Sequence, residues 1–396
     1  PEQRQPFQRY LASYPHVVDY ARFRAIGEQQ QRPWHQWPQR LRDGALAPGD
    51  YDDATMRYYL YGQWLPHQQI EALSAKARAH GSGLYLDLPL GVHSDSYDVW
   101  HERQAFALGI SGGAPPDGFF TKGQKWGFPP LHPEGIREQG YRYFIASIQH
   151  HLRHADLLRI DHVMGFHRLF WVPHEVEARD GVYVRYHPEE FYAILSLESH
   201  RHRAAIVGED LGTVPRYVRS SMGRHHVLRM YVLQFHLDRD RRRALRPVPR
   251  ACVASLNTHD TPTFAGFWQG LDLHSRLDLG LLNQSEFDAE QENRRELLRS
   301  LAGFFQDQGL LQEADAGAEA VLSAALAFLG ASGARFVLVN LEDLWLETEP
   351  QNTPGTVEER PNWRRKARFS LEELSQMPQV LGILESVNSL RKRNRG

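Results

Sequence analysis

Leu157-Leu158-Arg159-Ile160-Asp161-His162 is a short apolar run that ends abruptly in charged residues. It is too brief for a helix of its own, so it reads as a buried strand whose last residues emerge at the mouth of a pocket. In a barrel of parallel strands that mouth is where chemistry happens. Alone, an Arg two residues from an Asp is an ordinary ion pair. Two similar strand ends give it more meaning: Ala204-Ala205-Ile206-Val207 runs into Gly208-Glu209-Asp210-Leu211-Gly212, and Ala251-Cys252-Val253-Ala254-Ser255-Leu256 runs into Asn257-Thr258-His259-Asp260-Thr261. Three apolar strands thus deliver Asp161, Glu209 and Asp260, in that order, to what reads as one rim.

Working outward, residues 1–80 show helical spacing and no strand, with turns at Gln31 to Pro38 and at Ala47-Pro48-Gly49-Asp50 and a separate helix from Ile70 to His80. Leu84 to Leu90 is the first strand, with Pro89 near its end. Residues 109–134, dense in Gly and Pro, read as one long loop, and Phe119, Phe120 and Trp126 give that loop something to bind with. A small excursion follows the Asp161 strand over 166–173 and turns at Arg179-Asp180-Gly181. Further strands are expected at 227–235 and 335–341, helices throughout 271–329, and an amphipathic helix over 371–390.

This alternation is that of an α/β protein, and closure as a (β/α)8 TIM barrel is the expected fold. The strands 84–90, 157–160, 204–207, 227–235, 251–256 and 335–341 are two short of the eight a barrel requires. At roughly thirty residues per unit the missing pair needs about sixty residues. The helical first segment does not supply them, and they are expected upstream of Pro1. The organisation expected is a helical insertion over 1–80 before the third barrel strand, a barrel core over 81–270 carrying the loop 109–134, a second helical insertion over 271–330, and the last strand, loop and helix over 331–396.

A formal net charge of -2 over 396 residues gives no global field for polyanions or a membrane surface, so neither nucleic acid nor a membrane is an expected partner. The single cysteine, Cys252, excludes an intrachain disulfide and a cysteine-rich zinc site, and fits a reducing compartment.

Cleaving a glycosidic bond with retention needs one carboxylate to attack the anomeric carbon and one carboxylic acid to release the leaving oxygen, about 5–5.5 Å apart. A third carboxylate orients ring hydroxyls and balances the oxocarbenium-like charge. Asp161 has Arg159 on the same strand face, which keeps a nucleophile ionised and aimed. Glu209 follows four apolar residues and a glycine, an environment that raises a carboxyl pKa and suits an acid. Asp260 has His259, a donor for sugar hydroxyls, beside it. Singly, each acid reads as a capping or ion-paired residue, and Asp260 before Thr261-Pro262 suits an N-cap. Jointly, in this order, they favour catalysis.

The chain resembles the 4-α-glucanotransferases of glycoside hydrolase family 77, the amylomaltases and plant disproportionating enzymes of the α-amylase superfamily. The motifs are Asp87-Leu88-Pro89 with Asp95-Ser96-Tyr97-Asp98-Val99-Trp100, Pro115-Pro116-Asp117 with Gly123-Gln124-Lys125-Trp126-Gly127, Arg159-Ile160-Asp161-His162, Glu209-Asp210-Leu211-Gly212, Thr258-His259-Asp260, and Asn352-Thr353-Pro354-Gly355-Thr356 with Pro361-Asn362-Trp363-Arg364. The resemblance implies a cytoplasmic enzyme that cuts an α-1,4-glucan, holds the donor covalently and passes it to the 4-hydroxyl of another maltooligosaccharide. It implies Asp161 as nucleophile, Glu209 as acid/base and Asp260 as stabiliser. Substrate-binding positions are Arg159, His259, Asp87, Asp117, Phe119 and Trp126, with no cofactor and no metal. The departures are Leu86 in place of a usual Gly, Gly118 in place of an aromatic of the acceptor loop, and Phe128 in place of a common Asn. Two alternatives accompany this reading: an α-glucan hydrolase of the α-amylase type, and a catalytically inactive α-glucan-binding barrel.

Overall fold

Apolar runs of four to six residues form parallel strands when helices cover them, because the backbone ladder satisfies every buried N–H and C=O. The computed structural model describes residues 4–116, 122–313 and 315–393, and the chain divides into two units, Pro1–Val218 and Arg219–Gly396.

The first unit opens with helices Arg4–Ser13, His16–Gln30 and Asp53–Ala79. The separate helix expected over 70–80 is instead the end of this last, 27-residue helix. Asp52 starts it by accepting the Thr55 N–H at 2.7 Å, and Pro66 lies inside it without ending it. The strands that follow are β1 (Leu84–Leu88), β2 (Ile110–Ala114), β3 (Gln124–Lys125), β4 (Ala155–Ile160), β5 (Arg168–Pro173), β6 (Val182–Arg185) and β7 (Ala205–Gly208).

β1, β4 and β7 form a parallel sheet in the order β1-β4-β7. Its register pairs Asp87 with Arg159, Arg159 with Val207, and Ile160 with Gly208. β1 stops at Leu88 because Pro89 has no N–H for the ladder. The helices Arg142–Leu152 and Pro188–His202 make the crossovers into β4 and β7, burying Ile148, Leu152 and Leu195 as the strands bury Leu158, Ile160 and Val207. Side chains alternate along a strand, so Asp87, Arg159 and Asp161 share one face of the sheet, and Leu88 and Ile160 take the other.

The expected long loop over 109–134 is in part a sheet. β2 and β3 pair antiparallel, and β2 pairs with β5 and β5 with β6 in the order β3-β2-β5-β6. The excursion expected after β4 is therefore a hairpin, turning where Arg179-Asp180-Gly181 indicated. Glycine disguises β2: a Cβ on Gly113 would come within 2.2 Å of the Gln124 carbonyl oxygen, so the bare backbone is what allows β2 and β3 to approach.

In the second unit β8 (Arg229–Val232), β9 (Cys252–Ser255) and β10 (Phe336–Val337) form a parallel sheet in the order β10-β9-β8. The strands expected at 227–235 and 335–341 are shorter than their apolar runs, because Leu233–His236 and Leu341–Trp345 wind into 3₁₀ turns. Helices Gln284–Asp307, Ala318–Gly330 and Pro378–Arg393 enclose a core that includes Leu301, Phe305, Leu322 and Leu329. The terminal helix expected over 371–390 is two pieces, Leu371–Leu374 and Pro378–Arg393. Cys252 is a buried free thiol in β9. Among the described residues no helix is long and apolar enough to cross a membrane.

Gly113→Ala forces a backbone-to-backbone clash and is expected to destabilise the chain by about 1–3 kcal/mol. Urea denaturation followed by far-UV circular dichroism reads this directly.

Candidate active site

The C-terminal edge of the β1-β4-β7 sheet holds a cluster of charges around one guanidinium. Arg159 is 7% exposed. Its Nη1 donates to both Asp87 carboxylate oxygens at 2.8 Å, and its Nη2 contacts Asp161 Oδ1 at 2.7 Å. Burial alone would lower the Arg159 pKa, but the charges of Asp161 and Asp87 more than reverse this and raise it. A fixed cation therefore sits between two carboxylates, which is the condition that keeps Asp161 aimed. Asp161 itself lies one residue beyond the ladder, its N–H donating to the Leu88 carbonyl at 3.1 Å, and its side chain remains 35% exposed.

Glu209 occupies the same level on the neighbouring strand, one residue past the Ile160–Gly208 pair. Adjacent strands are about 4.8 Å apart, so sheet register alone places Asp161 and Glu209 side by side. The Glu209 N–H donates to the Ile160 carbonyl at 2.9 Å. Its carboxylate accepts the Leu211 N–H at 2.6 Å on Oε1 and the His162 N–H at 3.1 Å on Oε2. Glu209 is buried, and its pKa is pushed up to about 7, first by burial and then by the Asp161 charge. The Leu211 N–H and Arg159 pull it down, without cancelling the burial. Burial, together with a neighbouring carboxylate, is thus what the strand end provides.

Trp126 comes to this edge from the antiparallel sheet. Its N–H donates to the Gly112 carbonyl at 2.9 Å, and its indole meets the His162 imidazole edge-on with ring centroids 5.3 Å apart. Phe128 stacks parallel to it at 6.0 Å and fits because Gly91 and Gly112 are bare: a Cβ there would lie 2.2 and 2.6 Å from the Phe128 ring. Asp117 and Phe119, with Gly118 and Phe120, lie outside the described residues. On the Leu88 and Ile160 side, a cavity of ≈ 650 Å³ is lined by these two, Asp98, Tyr143 and Phe144 and reaches Asp161.

Within the second unit, Asp260 and His259 lie just past β9. Asp260 Oδ1 accepts from Asn352 Nδ2 at 2.6 Å, and Oδ2 is 3.1 Å from His259 Nε2. The N-cap of the following helix, Phe264–Gln269, is Thr263, so Asp260 is not a capping residue. The imidazole of His259 lies 5.7 Å from the ring of Trp363, which is 61% exposed.

One acid escaped sequence reasoning. Asp343, 1% exposed, accepts from Asn257 Nδ2 at 2.9 and 3.1 Å and from the Phe264 N–H at 2.7 Å, and so ties down both ends of the segment carrying His259 and Asp260. Burial raises its pKa to about 6 against these hydrogen bonds. The only signal was its place two residues beyond an apolar run. Among the described residues no group of three or more His, Cys, Asp or Glu is disposed to hold a metal ion.

An α/β chain that gathers two carboxylates and a glutamic acid around a buried arginine at the carboxyl edge of a parallel sheet falls in a narrow class. The family model described as 4-alpha-glucanotransferase, of glycoside hydrolase family 77, matches residues 1–372, and the chain belongs to that family. A 4-alpha-glucanotransferase of Mycobacterium tuberculosis is 38% identical over 358 residues, which cover 87% of this chain and 49% of the relative. One from Haemophilus influenzae is 34% identical over 326 residues, covering 78% and 46%. The crystal structure of amylomaltase from Corynebacterium glutamicum superposes with a TM-score of 0.85 at 26% identity, covering 98% of this chain and 56% of that one. The chain thus spans about half the length of these curated relatives.

Two outcomes follow from the buried acids. Free Glu ionises near 4.5 and Glu209 near 7, so folding binds an extra proton between these values and stability falls as pH rises through that window. Glu209→Gln, which cannot ionise, should gain on the wild type by about 3 kcal/mol between pH 4.5 and pH 8; denaturation at both pH values measures the difference. Asp343→Ala strands the buried Asn257 amide and Phe264 N–H, and should lower stability by about 2–4 kcal/mol at pH 7 in the same assay.

Proposed function

We propose that this chain carries the catalytic machinery of a 4-α-glucanotransferase, moving an α-1,4-glucan segment from one maltooligosaccharide to the 4-hydroxyl of another, in a cytoplasmic setting. The observation that carries the reading is the pair formed by Asp161, held by buried Arg159, and Glu209, whose carboxyl keeps its proton up to about pH 7. One is prepared to attack and the other to protonate, which is the division of labour a retaining double displacement requires.

In the proposed reaction Asp161 attacks the anomeric carbon while Glu209 gives its proton to the departing glycosidic oxygen, leaving a glycosyl ester on Asp161. Glu209, now ionised, takes the proton of the acceptor 4-hydroxyl as that oxygen displaces Asp161, and both groups return to their starting states. Arg159 holds Asp161 throughout, and Asp87 fixes Arg159 from its other side. Asp260 is assigned the stabilisation of the oxocarbenium-like charge and His259 a sugar hydroxyl, on the pattern of the family. Asp117, Phe119 and Trp126 are assigned to the acceptor. No cofactor and no metal enter this chemistry.

We assign the parallel strands to a TIM barrel, with residues 1–80 and 271–330 as helical insertions, 81–270 as its core and 331–396 as its end. This needs two strands beyond the six parallel ones, which we assign to a segment outside this chain; relatives of about twice the length have room for it. The structure of an amylomaltase from Streptococcus agalactiae, determined in complex with acarbose, fits the same reading: it is 20% identical and shares the fold at a TM-score of 0.81.

Incubation with maltotriose distinguishes the alternatives. Transfer releases glucose together with oligomers longer than the substrate, whereas glucose and maltose without lengthening would mark a hydrolase. Asp161→Asn should lower the rate at least about a thousandfold while leaving maltotriose binding by calorimetry within about threefold. Binding without turnover in the wild type would mark a glucan-binding protein instead.

A further inference from the structure

His162 follows the proposed nucleophile directly and has no role in the reaction above. Its conformation is unusual. With φ 45° and ψ 59° it sits in the left-handed region, which non-glycine residues enter at a cost. The turn it makes folds the chain around Glu209: the His162 N–H donates to Glu209 Oε2 at 3.1 Å, and the Val163 N–H donates to the Glu209 carbonyl at 3.1 Å. The side chain of the acid is thus gripped from the β4 side by His162 and from its own strand by Leu211. Only the first grip depends on a strained residue.

The imidazole explains how the turn is held closed. It packs edge-on against Trp126, which is itself fixed by its backbone bond to β2 and by stacking on Phe128. Burial lowers the His162 pKa to about 4, so at neutral pH the ring is an uncharged wedge.

We infer that His162 is a positioning residue for Glu209: its left-handed backbone aims a peptide N–H at Oε2, and its ring, braced by Trp126, keeps that turn in place. This rests on Glu209 being the acid/base. A donor N–H on Oε2 fixes which oxygen faces the glycosidic bond, and a displacement of about 1 Å at an acid is enough to cost about a hundredfold. Among the described residues His162 bonds the Glu209 carboxylate and meets Asp161 only through its charge, so its loss should act more on proton transfer than on nucleophilic attack.

Two donors separate these steps. Maltotriose needs a proton on its leaving oxygen, and α-maltotriosyl fluoride, whose leaving group is fluoride, does not. His162→Val places a β-branched side chain where the backbone must be left-handed, and His162→Asn keeps that conformation accessible. The Val variant is expected to lose tenfold or more in kcat/KM on maltotriose and less than threefold on the fluoride, with Asn, which keeps the turn accessible but loses the ring brace, falling between Val and the wild type. If Val does not fold, His162→Ala carries the same comparison with a smaller loss. Equal losses on both donors, equal behaviour of Val and Asn, or no loss on maltotriose would overturn the inference. Glu209→Gln, measured alongside, separates the two levels: it must spare the fluoride, and if it suppresses both donors alike the acid/base reading itself falls.

Discussion

The buried guanidinium of Arg159 is the interaction on which this site depends. A charge carried into a sheet edge with 7% exposure is tolerable only when paired, and here it is paired on both sides, with Asp87 of β1 and Asp161 beyond β4. Sheet register makes this possible, since Asp87 stands directly opposite Arg159 and Asp161 is two residues further on the same face. One cation is thereby shared by two carboxylates, and Glu209 on the next strand feels that cation only at a distance, without an ion pair to it.

That asymmetry is what the proposed chemistry uses. Asp161 and Glu209 occupy equivalent positions on neighbouring strands, yet one contacts Nη2 of the arginine at 2.7 Å while the other is buried and held by two peptide N–H groups. A backbone donor stabilises a carboxylate less than a guanidinium does, and burial then lifts Glu209 to about 7. The segment after β3 brings aromatic rings to this edge, with Trp126 leaning on His162 and Phe128 seated on two bare glycines.

What the amino-acid sequence discloses follows from how local each signal is. Strand ends such as Ile160-Asp161 and Gly208-Glu209 are legible because a short apolar run meeting a charge is a local pattern, and the six parallel strands all occur. The β2 strand was not legible, because Gly112 and Gly113 imitate a loop and are there to admit a neighbouring carbonyl and an aromatic ring. Other features depend on contacts between distant residues. The Arg159–Asp87 pair spans 72 residues, Asp343 reaches 86 residues back to Asn257, and the left-handed turn at His162 is bonded to Glu209, 47 residues away. For Asp260, the cap suggested by its neighbours belongs to Thr263, three residues on.

The central claim is that Asp161, held by Arg159, forms a covalent bond to the sugar. An activated 5-fluoro-α-glucosyl fluoride, reacted with the protein and mapped by mass spectrometry of proteolytic peptides, tests it most directly. The account predicts one glycosyl adduct on the peptide bearing Asp161 and none when that residue is Asn. An adduct on Glu209 or Asp87, or turnover of the reagent with undiminished rate in the Asn variant, would contradict it.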